Sequence, residues 1–172
     1  MLWRGLAVVA VTAVLDQASK TALLSHFDAS GCSLHRETVT SFLDLVLTCN
    51  SGISFGIMNR TGVNALVFSL AAGLIIVVML AWLRRVRTGF LAVAIGLIIG
   101  GAIGNVIDRL RFHAVVDFLY FHAGSWYWPA FNLADSAICL GVVAMLLDGL
   151  LLRRPTPGVN GPQANGREDL SP

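Results

Sequence analysis

The two longest stretches without a charged side chain decide which class of protein this sequence can form. Residues 63–83 and 88–107 contain no Asp, Glu, Lys or Arg. Each is close to the roughly 20 residues that an apolar α-helix needs to cross about 30 Å of hydrocarbon. Both stretches are therefore predicted to be transmembrane helices.

The composition supports a membrane protein and excludes several other classes. The chain has 172 residues, of which 56% are hydrophobic and 13% charged, against roughly 45–50% and about 25% in soluble globular proteins. A soluble domain of this size has too much surface to cover with so few charges. A soluble enzyme, a disordered chain and a nucleic-acid binder are excluded, and the net charge of +2 is too small to imply a polyanionic partner.

Two further transmembrane helices are predicted at about 2–24 and 132–152, although each contains ionisable residues. The first includes Asp16 and Lys20, and the second has Asp135 and Asp148 near its ends. The first also resembles a signal peptide, but no small-x-small cleavage site follows its apolar run, so it is expected to be retained.

The arginines predict how the four helices are oriented, because cytoplasmic loops are enriched in Lys and Arg. One side of the membrane receives six arginines close to helix ends: Arg4, Arg84, Arg85, Arg87, Arg153 and Arg154. That side is predicted to be cytoplasmic and to hold both termini. Residues 25–62 and 108–131 are then exoplasmic, or periplasmic in an organism with two membranes. Residues 1–152 form one membrane domain, and 153–172, rich in Pro and Gly, form a disordered cytoplasmic tail.

The exoplasmic segments are predicted to form a small β-rich cap. Residues 38–48 alternate partly as a strand does, and 111–120 have a similar pattern. Residues 126–128, Trp-Tyr-Trp, have the character of an interfacial aromatic belt that anchors the chain, with covering of a site opening as the alternative. Cys32, Cys49 and Cys139 lack metal-type spacing; a disulfide between Cys32 and Cys49 is chemically possible outside the cytoplasm.

Ionisable residues within or beside the predicted helices are the candidates for chemistry, because burying a charge in a bilayer costs a few kcal/mol or more. Most of them converge towards the exoplasmic side: Asp16, Lys20, Asp108, Arg109, Asp117 and Asp135. Structural interpretations remain open for several. Asp16 and Lys20 have the i, i+4 spacing of a helix ion pair. Asp108 and Arg109 are compatible with the end of a span, and Asn132 with Asp135 with a helix cap.

Asp117 is harder to explain structurally. It has no cation within five residues on either side and is surrounded by apolar residues. Such a carboxyl group either has a raised pKa or has a partner from elsewhere in the chain, and Asp135 is the nearest candidate. Two adjacent carboxyl groups share a proton, so that one activates water and the other acts as an acid. The pair therefore predicts an aspartic peptidase.

The third predicted helix has a face that is cleared for close packing. Gly96, Gly100 and Gly104 recur every four residues, which permits close approach of another helix. Asn105, Asp108 and Arg109 continue beyond the glycines as a polar cluster. The sequence contains no Gly-x-Ser-x-Gly or His-Glu-x-x-His motif, and its four histidines lack ligand spacing, so no metal or cofactor is expected.

At these residues the sequence closely resembles the lipoprotein signal peptidase family, also called signal peptidase II. Five ordered blocks carry the resemblance, which covers about residues 2–152: DQASK at 16–20, NSGISFG at 50–56, GNVIDR at 104–109, VVDF at 115–118 and FNLADS at 131–136. One departure is Ile53-Ser54, where many members have two alanines.

The resemblance implies a four-helix aspartic endopeptidase of the bacterial inner membrane, inhibited by the cyclic peptide globomycin. Its substrates would be prolipoproteins, cleaved before their diacylglyceryl-modified cysteine. Asp117 and Asp135 match the catalytic pair of the family. The residues matching its supporting and substrate-positioning groups are Asn50, Gly52, Asn105, Asp108, Arg109, Asn132, Asp16 and Lys20. Membrane lipid is the expected surrounding partner, and the protein is expected to be a monomer that binds no nucleic acid.

Two other classes of function use the same residues. A small proton-coupled transporter or channel would use Asp16, Asp117 and Asp135 as a relay, although these acids cluster at one end of the membrane. A purely structural assembly factor would leave Asp117 unexplained.

Overall fold

The chain folds into two layers, a bundle of helices and a small sheet. In the computed structural model the described residues are 1–29, 31, 33–51 and 61–151. The elements in chain order are α1 (Leu2–His26), β1 (His35–Thr38), β2 (Leu43–Asn50), α2 (Thr61–Leu83), α3 (Gly89–Phe112), β3 (Val115–Ala123), β4 (Trp126–Tyr127) and α4 (Leu133–Leu151).

All four helices are long and apolar enough to cross a membrane. The predicted fold class, four transmembrane helices with a small β-rich cap, is therefore confirmed. α3 is the most buried of the four and packs against each of the other three. By contrast, much of α2 is exposed and apolar, including Leu66, Leu70 and Leu74, which suits a lipid-facing surface.

Glycines allow the neighbours of α3 to approach its backbone. A Cβ atom at Gly100 would lie 2.6 Å from Thr12 Cβ of α1, and one at Gly96 would lie 2.7 Å from the Gly5 carbonyl oxygen. Gly104 meets the Asp16 carboxylate, while Gly101 lies against the Ala134 carbonyl oxygen of α4. The predicted close-packing face of α3 is confirmed, and α3 is fixed between α1 and α4.

The third helix continues beyond its predicted end at residue 107. It ends at Phe112, where His113 adopts a left-handed conformation with φ of 58° and donates its backbone N–H to the Arg109 carbonyl oxygen. The prediction stopped at the first charged residues. These residues stay helical because Asn105 and Asp108 face the interior, where both side chains are buried and hydrogen-bonded.

The four strands form one antiparallel sheet in the order β1-β2-β3-β4. The predicted strand at 38–48 is two strands: Thr38 ends β1, and a turn precedes β2, with Thr40 Oγ1 accepting the N–H groups of Phe42 and Leu43. The predicted strand at 111–120 was also placed too early, because α3 extends to Phe112 and β3 begins at Val115.

The sheet is attached to the helices by an apolar cluster and by its register. Leu23 of α1 packs with Leu47, Val116 and Phe118 of the sheet. Thr48 lies opposite Asp117 in the β2–β3 ladder. Phe131 pairs with Leu119, which brings the chain back beside β3 immediately before α4. Asp117 and the start of α4 therefore lie next to each other.

The aromatic residues at 126–128 lie at the far end of the sheet from the Asp117 pairing. Trp126 of β4 pairs with Ala123 of β3, and all three aromatic side chains are more than half exposed. Cys49 is disulfide-bonded and Cys139 is free. Cys32, the partner considered from the sequence, lies outside the described residues.

Candidate active site

Asn132 connects the two aspartates that the sequence singled out. Asn132 Nδ2 donates to Asp117 Oδ1 at 2.8 Å, and Asn132 Oδ1 accepts the Asp135 backbone N–H at 2.9 Å. The Asn132 backbone N–H in turn lies 3.3 Å from Asp135 Oδ2. Asn132 is therefore the N-terminal cap of α4, as one interpretation of the sequence held, and it also joins Asp117 to Asp135.

Two further asparagines bind the aspartate pair. Asn105 Nδ2 of α3 donates to Asp135 Oδ1 at 2.8 Å, and Asn50 Nδ2 at the end of β2 donates to Asp117 Oδ2 at 3.2 Å. The pair thus receives donors from α3, from the sheet and from the α4 cap. Gly52, the remaining candidate in the Asn50 block, lies outside the described residues, as do Ile53 and Ser54.

A buried ionic cluster lies beneath the aspartate pair. Lys20 Nζ is 2.8 Å from Asp16 Oδ2 and 2.7 Å from Asp108 Oδ2. The i, i+4 pair predicted from the sequence is present, but Lys20 also binds Asp108 of another helix. All three side chains are almost fully buried.

The carboxylates of Asp16 and Asp108 also accept hydrogen bonds from the backbone next to Asp135 and Asp117. Asp16 Oδ1 accepts the N–H of Ala134 at 2.9 Å, immediately before Asp135. Asp108 Oδ2 accepts the N–H of Val116 at 3.1 Å, immediately before Asp117. Each aspartate of the pair therefore follows a residue whose backbone is held by the same buried cluster.

The side-chain amides of Asn105 and Asn132 each have a fixed orientation, because a neighbouring hydrogen-bond donor occupies the amide oxygen. Lys20 Nζ lies 3.2 Å from Asn105 Oδ1, so the Asn105 amine must face Asp135. The Asp135 backbone N–H occupies Asn132 Oδ1, so the Asn132 amine must face Asp117. Both aspartates consequently accept hydrogen bonds from amide N–H groups.

Burial and the charge of Asp135 raise the pKa of Asp117 to about 7, despite hydrogen bonds from Asn50 and Asn132 that oppose the shift. Asp117 is only 2% exposed, whereas Asp135 is partly exposed. The two carboxyl groups thus have different environments, which favours a proton on Asp117 near neutral pH.

Arg109 supplies a positive charge near the pair. Its Nη1 donates to the Asn105 carbonyl oxygen at 3.2 Å, and its guanidinium lies 5.6 Å from the centre of the Phe68 ring. The charge of Arg109 interacts with those of Asp135, Asp108 and Asp117. Arg109 is thus part of the polar cluster and does not simply mark the end of a span.

Two of the cavities formed by the described residues have linings that bear on the function of the aspartate pair and its supports. The first, which we call the cap cavity, has a volume of about 540 Å³, contacts Asp117, and is lined on the sheet side by Arg36, Val46, Thr48, Asn50 and Tyr120. The second, the membrane groove, has a volume of about 260 Å³ and lies between helices, lined by residues including Phe68, Ile75, Ile98, Ile138, Asn105 and Arg109. One cavity opens at the cap and the other among the apolar helices. Among the residues with described positions, no cluster of three or more His, Cys, Asp or Glu is arranged to hold a metal ion.

This arrangement agrees with the comparison to known proteins. The family model described as Signal peptidase (SPase) II matches residues 8–151. The chain belongs to the signal peptidase II family. It is therefore a peptidase, and the family together with its four apolar helices supports a protein of the bacterial inner membrane.

Relatives and solved structures extend the match over most of the chain. A lipoprotein signal peptidase from Methylorubrum extorquens is 42% identical, covering 89% of this chain and 87% of that protein. One from Rhodopseudomonas palustris is 44% identical over 92% and 96% of the two chains. A solved bacterial membrane enzyme superposes with a TM-score of 0.71 at 25% identity, covering 86% of this chain and 92% of that chain.

Two parts of the candidate site in this signal peptidase II family member were missed by reasoning from the sequence. Gln17 Nε2 donates to Asp108 Oδ1 at 2.8 Å and to the Gly104 carbonyl oxygen at 3.2 Å. Its position between Asp16 and Lys20 was the available signal. Arg36, which lines the cap cavity, is paired with the fully buried Asp44. Arg36 and Asp44 do not stand out in the sequence, because their contact depends on the register of β1 and β2.

Proposed function

We propose that this protein removes signal peptides from prolipoproteins by cleaving before the diacylglyceryl-modified cysteine, with Asp117 and Asp135 as the catalytic pair. The observation that carries this proposal is the bridge through Asn132, which joins a buried carboxyl group to a partly exposed one beside an open cavity. The names of the curated relatives support the lipoprotein substrate.

In the proposed mechanism the two carboxyl groups have different tasks. Asp135, which is partly exposed, acts as the base. It accepts a proton from a water molecule, and the oxygen of that water attacks the scissile carbonyl carbon. Asp117, which holds a proton, donates it to the developing oxyanion. The proton taken up by Asp135 then passes to the amide nitrogen as the C–N bond breaks, and one hydroxyl group of the tetrahedral intermediate returns its proton to Asp117. The products are a free carboxyl group on the signal peptide and a free amine on the cysteine.

The supporting residues act by position and charge. Asn50, Asn105 and Asn132 hold the two carboxyl groups at fixed orientations. Asp16, Lys20 and Asp108 hold the backbone in front of them. Arg109 supplies positive charge near the site of the developing negative charge.

The substrate suggests how the two cavities are used. A diacylglyceryl-modified signal peptide diffuses within the bilayer, so its apolar part has access to the membrane groove. The dyad is then near the exoplasmic end of the helices, with both termini in the cytoplasm, as the arginine distribution predicts. We propose residues 1–152 as the membrane peptidase domain of a monomer surrounded by lipid; the predicted tail at 153–172 lies outside the described residues.

The test compares single aspartate variants of the purified full chain in detergent. Wild type, Asp117→Asn and Asp135→Asn are incubated with a lipidated prolipoprotein, and the released signal peptide is quantified. Loss of at least about 1,000-fold in kcat is expected for each variant, because a dyad needs both groups. Asp148→Asn, on α4 but outside the site, is the matched control and is expected to cleave like wild type.

Robust cleavage by either site variant would overturn the assignment of the catalytic pair. Absence of cleavage by wild type, with proton flux across reconstituted vesicles that depends on Asp117, would instead favour the transporter interpretation. Globomycin provides a further check, since it should block cleavage by wild type.

A further inference from the structure

The cap cavity extends from Asp117 across the sheet to Arg36. Asp117 lies opposite Thr48, and Arg36 lies opposite Val46. Residues directly opposite each other in antiparallel strands share one face of a sheet. The β2–β3 register shifts between Leu45 and Thr48, so alternation along β2 does not by itself place Val46 and Thr48 on one face. The cavity itself defines a path across three strands, because Asp117, Thr48, Val46 and Arg36 all line it.

Arg36 is held in place at the far end of this path. Its Nε and Nη2 atoms lie 2.6 Å and 2.5 Å from Asp44 Oδ2. The guanidinium carbon lies 5.1 Å from the centre of the Tyr120 ring, within the range of a cation–π contact. An arginine fixed by a carboxylate and an aromatic ring loses little further conformational entropy when it binds another group.

Asp44 is ionised, and it accepts hydrogen bonds from only part of the Arg36 guanidinium. Burial acts to raise the pKa of Asp44, but hydrogen bonds from Thr38, Arg36 and His122 outweigh it and hold the pKa below its usual value. Asp44 is fully buried, whereas the Arg36 side chain is 57% exposed. A guanidinium has five N–H donors; Nη1 has no hydrogen bond to any described residue. The group presented to the cavity is therefore the cation with its free donors.

The distance along this path matches a short extended peptide. Two inter-strand spacings of about 4.8 Å run at right angles to one or two residue rises of about 3.4 Å along β2, where the register shift shortens the strand. Together they give roughly 10–12 Å between the Asp117 and Arg36 Cα atoms. An extended chain spans about 3.3–3.6 Å per residue. Arg36 is thus about three or four residues away from a peptide bond held at Asp117.

The position of the second cavity decides which side of the substrate lies here. The apolar membrane groove suits the signal peptide, which leaves the more polar cap cavity for the chain on the other side of the scissile bond. We propose that the cap cavity binds the first residues of the mature chain, and that Arg36 selects for an acidic side chain about three or four residues after the scissile bond. This inference rests on the proposed function, since it assumes a prolipoprotein cut at Asp117 and Asp135.

The experiment measures charge selectivity at defined substrate positions. Lipidated prolipoproteins are prepared with Asp, Asn or Lys at each of the second to fifth positions of the mature chain, and kcat/KM is determined for each. Wild type is expected to prefer Asp over Asn by about three- to tenfold at the third or fourth position, and to disfavour Lys. In Arg36→Gln this preference should fall to less than about twofold.

Two further variants control for folding and for general charge. Arg36→Gln leaves Asp44 without its cation, so Arg36→Gln combined with Asp44→Asn restores neutrality if the single variant does not fold. Arg111→Gln removes an exposed exoplasmic-end arginine that does not line the cap cavity. It is expected to keep the wild-type preference for Asp.

Each outcome separates this inference from the proposed function. Cleavage by wild type without charge preference at these positions would overturn the role of Arg36 and leave the peptidase proposal intact. A preference that persists in both Arg36 variants would also overturn it. Failure of wild type to cleave any of the substrates would instead overturn the proposed function.

Discussion

Lys20 Nζ of α1 lies 2.7 Å from Asp108 Oδ2 of α3, and both side chains are at least 97% buried. Lys20 is the only lysine of the chain. It also lies 2.8 Å from Asp16 Oδ2, so one cation separates two buried carboxylates. Those carboxylates bind the backbone in front of Asp117 and Asp135, which makes this ionic cluster the structural base of the site.

Replacing Lys20 with Met is expected to destabilise the protein by about 3–5 kcal/mol, because it leaves two uncompensated carboxylates in the interior. Asp108→Asn is expected to have a smaller effect, since the Lys20–Asp16 pair stays neutral. Thermal unfolding in detergent measures both. Amine labelling of wild type and Asp108→Asn provides a second readout, because Lys20 reacts only when its surroundings open. Equal stability of wild type and Lys20→Met would contradict this prediction, and Arg111→Gln is the surface control.

Gly104→Ala is expected to destabilise the protein by about 1–3 kcal/mol. The added Cβ would overlap the Asp16 carboxylate, which cannot move without losing its bonds to Lys20 and Ala134. Gly73→Ala in α2 is the matched control, because no atom lies within 4 Å of the added Cβ. The control should be neutral or slightly stabilising, since Ala favours a helix over Gly. A Gly104→Ala protein that unfolds at the wild-type temperature would show that this contact is unimportant.

Asp117→Asn is expected to stabilise the protein at pH 8 while removing cleavage. The pKa of Asp117 is about 7 in the folded state, against a reference value of 3.8. The folded state therefore binds more protons than the unfolded state between about pH 4 and 7, and wild type loses stability as the pH rises through this range. The free energy of unfolding of wild type is lower above pH 7 than at pH 4 by as much as about 4 kcal/mol. Because asparagine does not titrate, the stability difference should be small at pH 4 and large at pH 8.

Thermal unfolding of both proteins at several pH values tests this expectation. A stability difference that does not change between pH 4 and pH 8 would show that the Asp117 carboxyl group has no raised pKa. Asp148→Asn measured under the same conditions accounts for general effects of removing an acid.

The rate of cleavage should fall above about pH 7. In the proposed mechanism Asp117 must hold a proton when the substrate binds, and its pKa of about 7 sets the alkaline limb of kcat/KM. Steady-state rates from pH 5 to 9, at constant ionic strength, measure this limb. If kcat/KM rises through pH 7, Asp117 acts as the base and the roles of the two aspartates are exchanged. Because the two groups interact, the measured values belong to the pair.

The close-packing face of α3 and the Asp16–Lys20 pair could be predicted because both depend on spacing within one helix. The ends of the strands could be predicted from the sequence less well. The expected strand at 38–48 missed the turn before Leu43, and the one at 111–120 overlapped α3. Periodicity alone does not show where a helix with paired polar residues ends.

The sequence by itself determined the four spans, because apolar length is a local property of the chain, and it singled out Asp117 as a carboxyl group without a local partner. Only the tertiary structure decided what that partner is. Asn132 joins Asp117 to Asp135, Lys20 joins α1 to α3, and Arg36 reaches Asp44 across a β1–β2 register. These contacts depend on where distant segments pack, and no spacing along a single helix or strand specifies them.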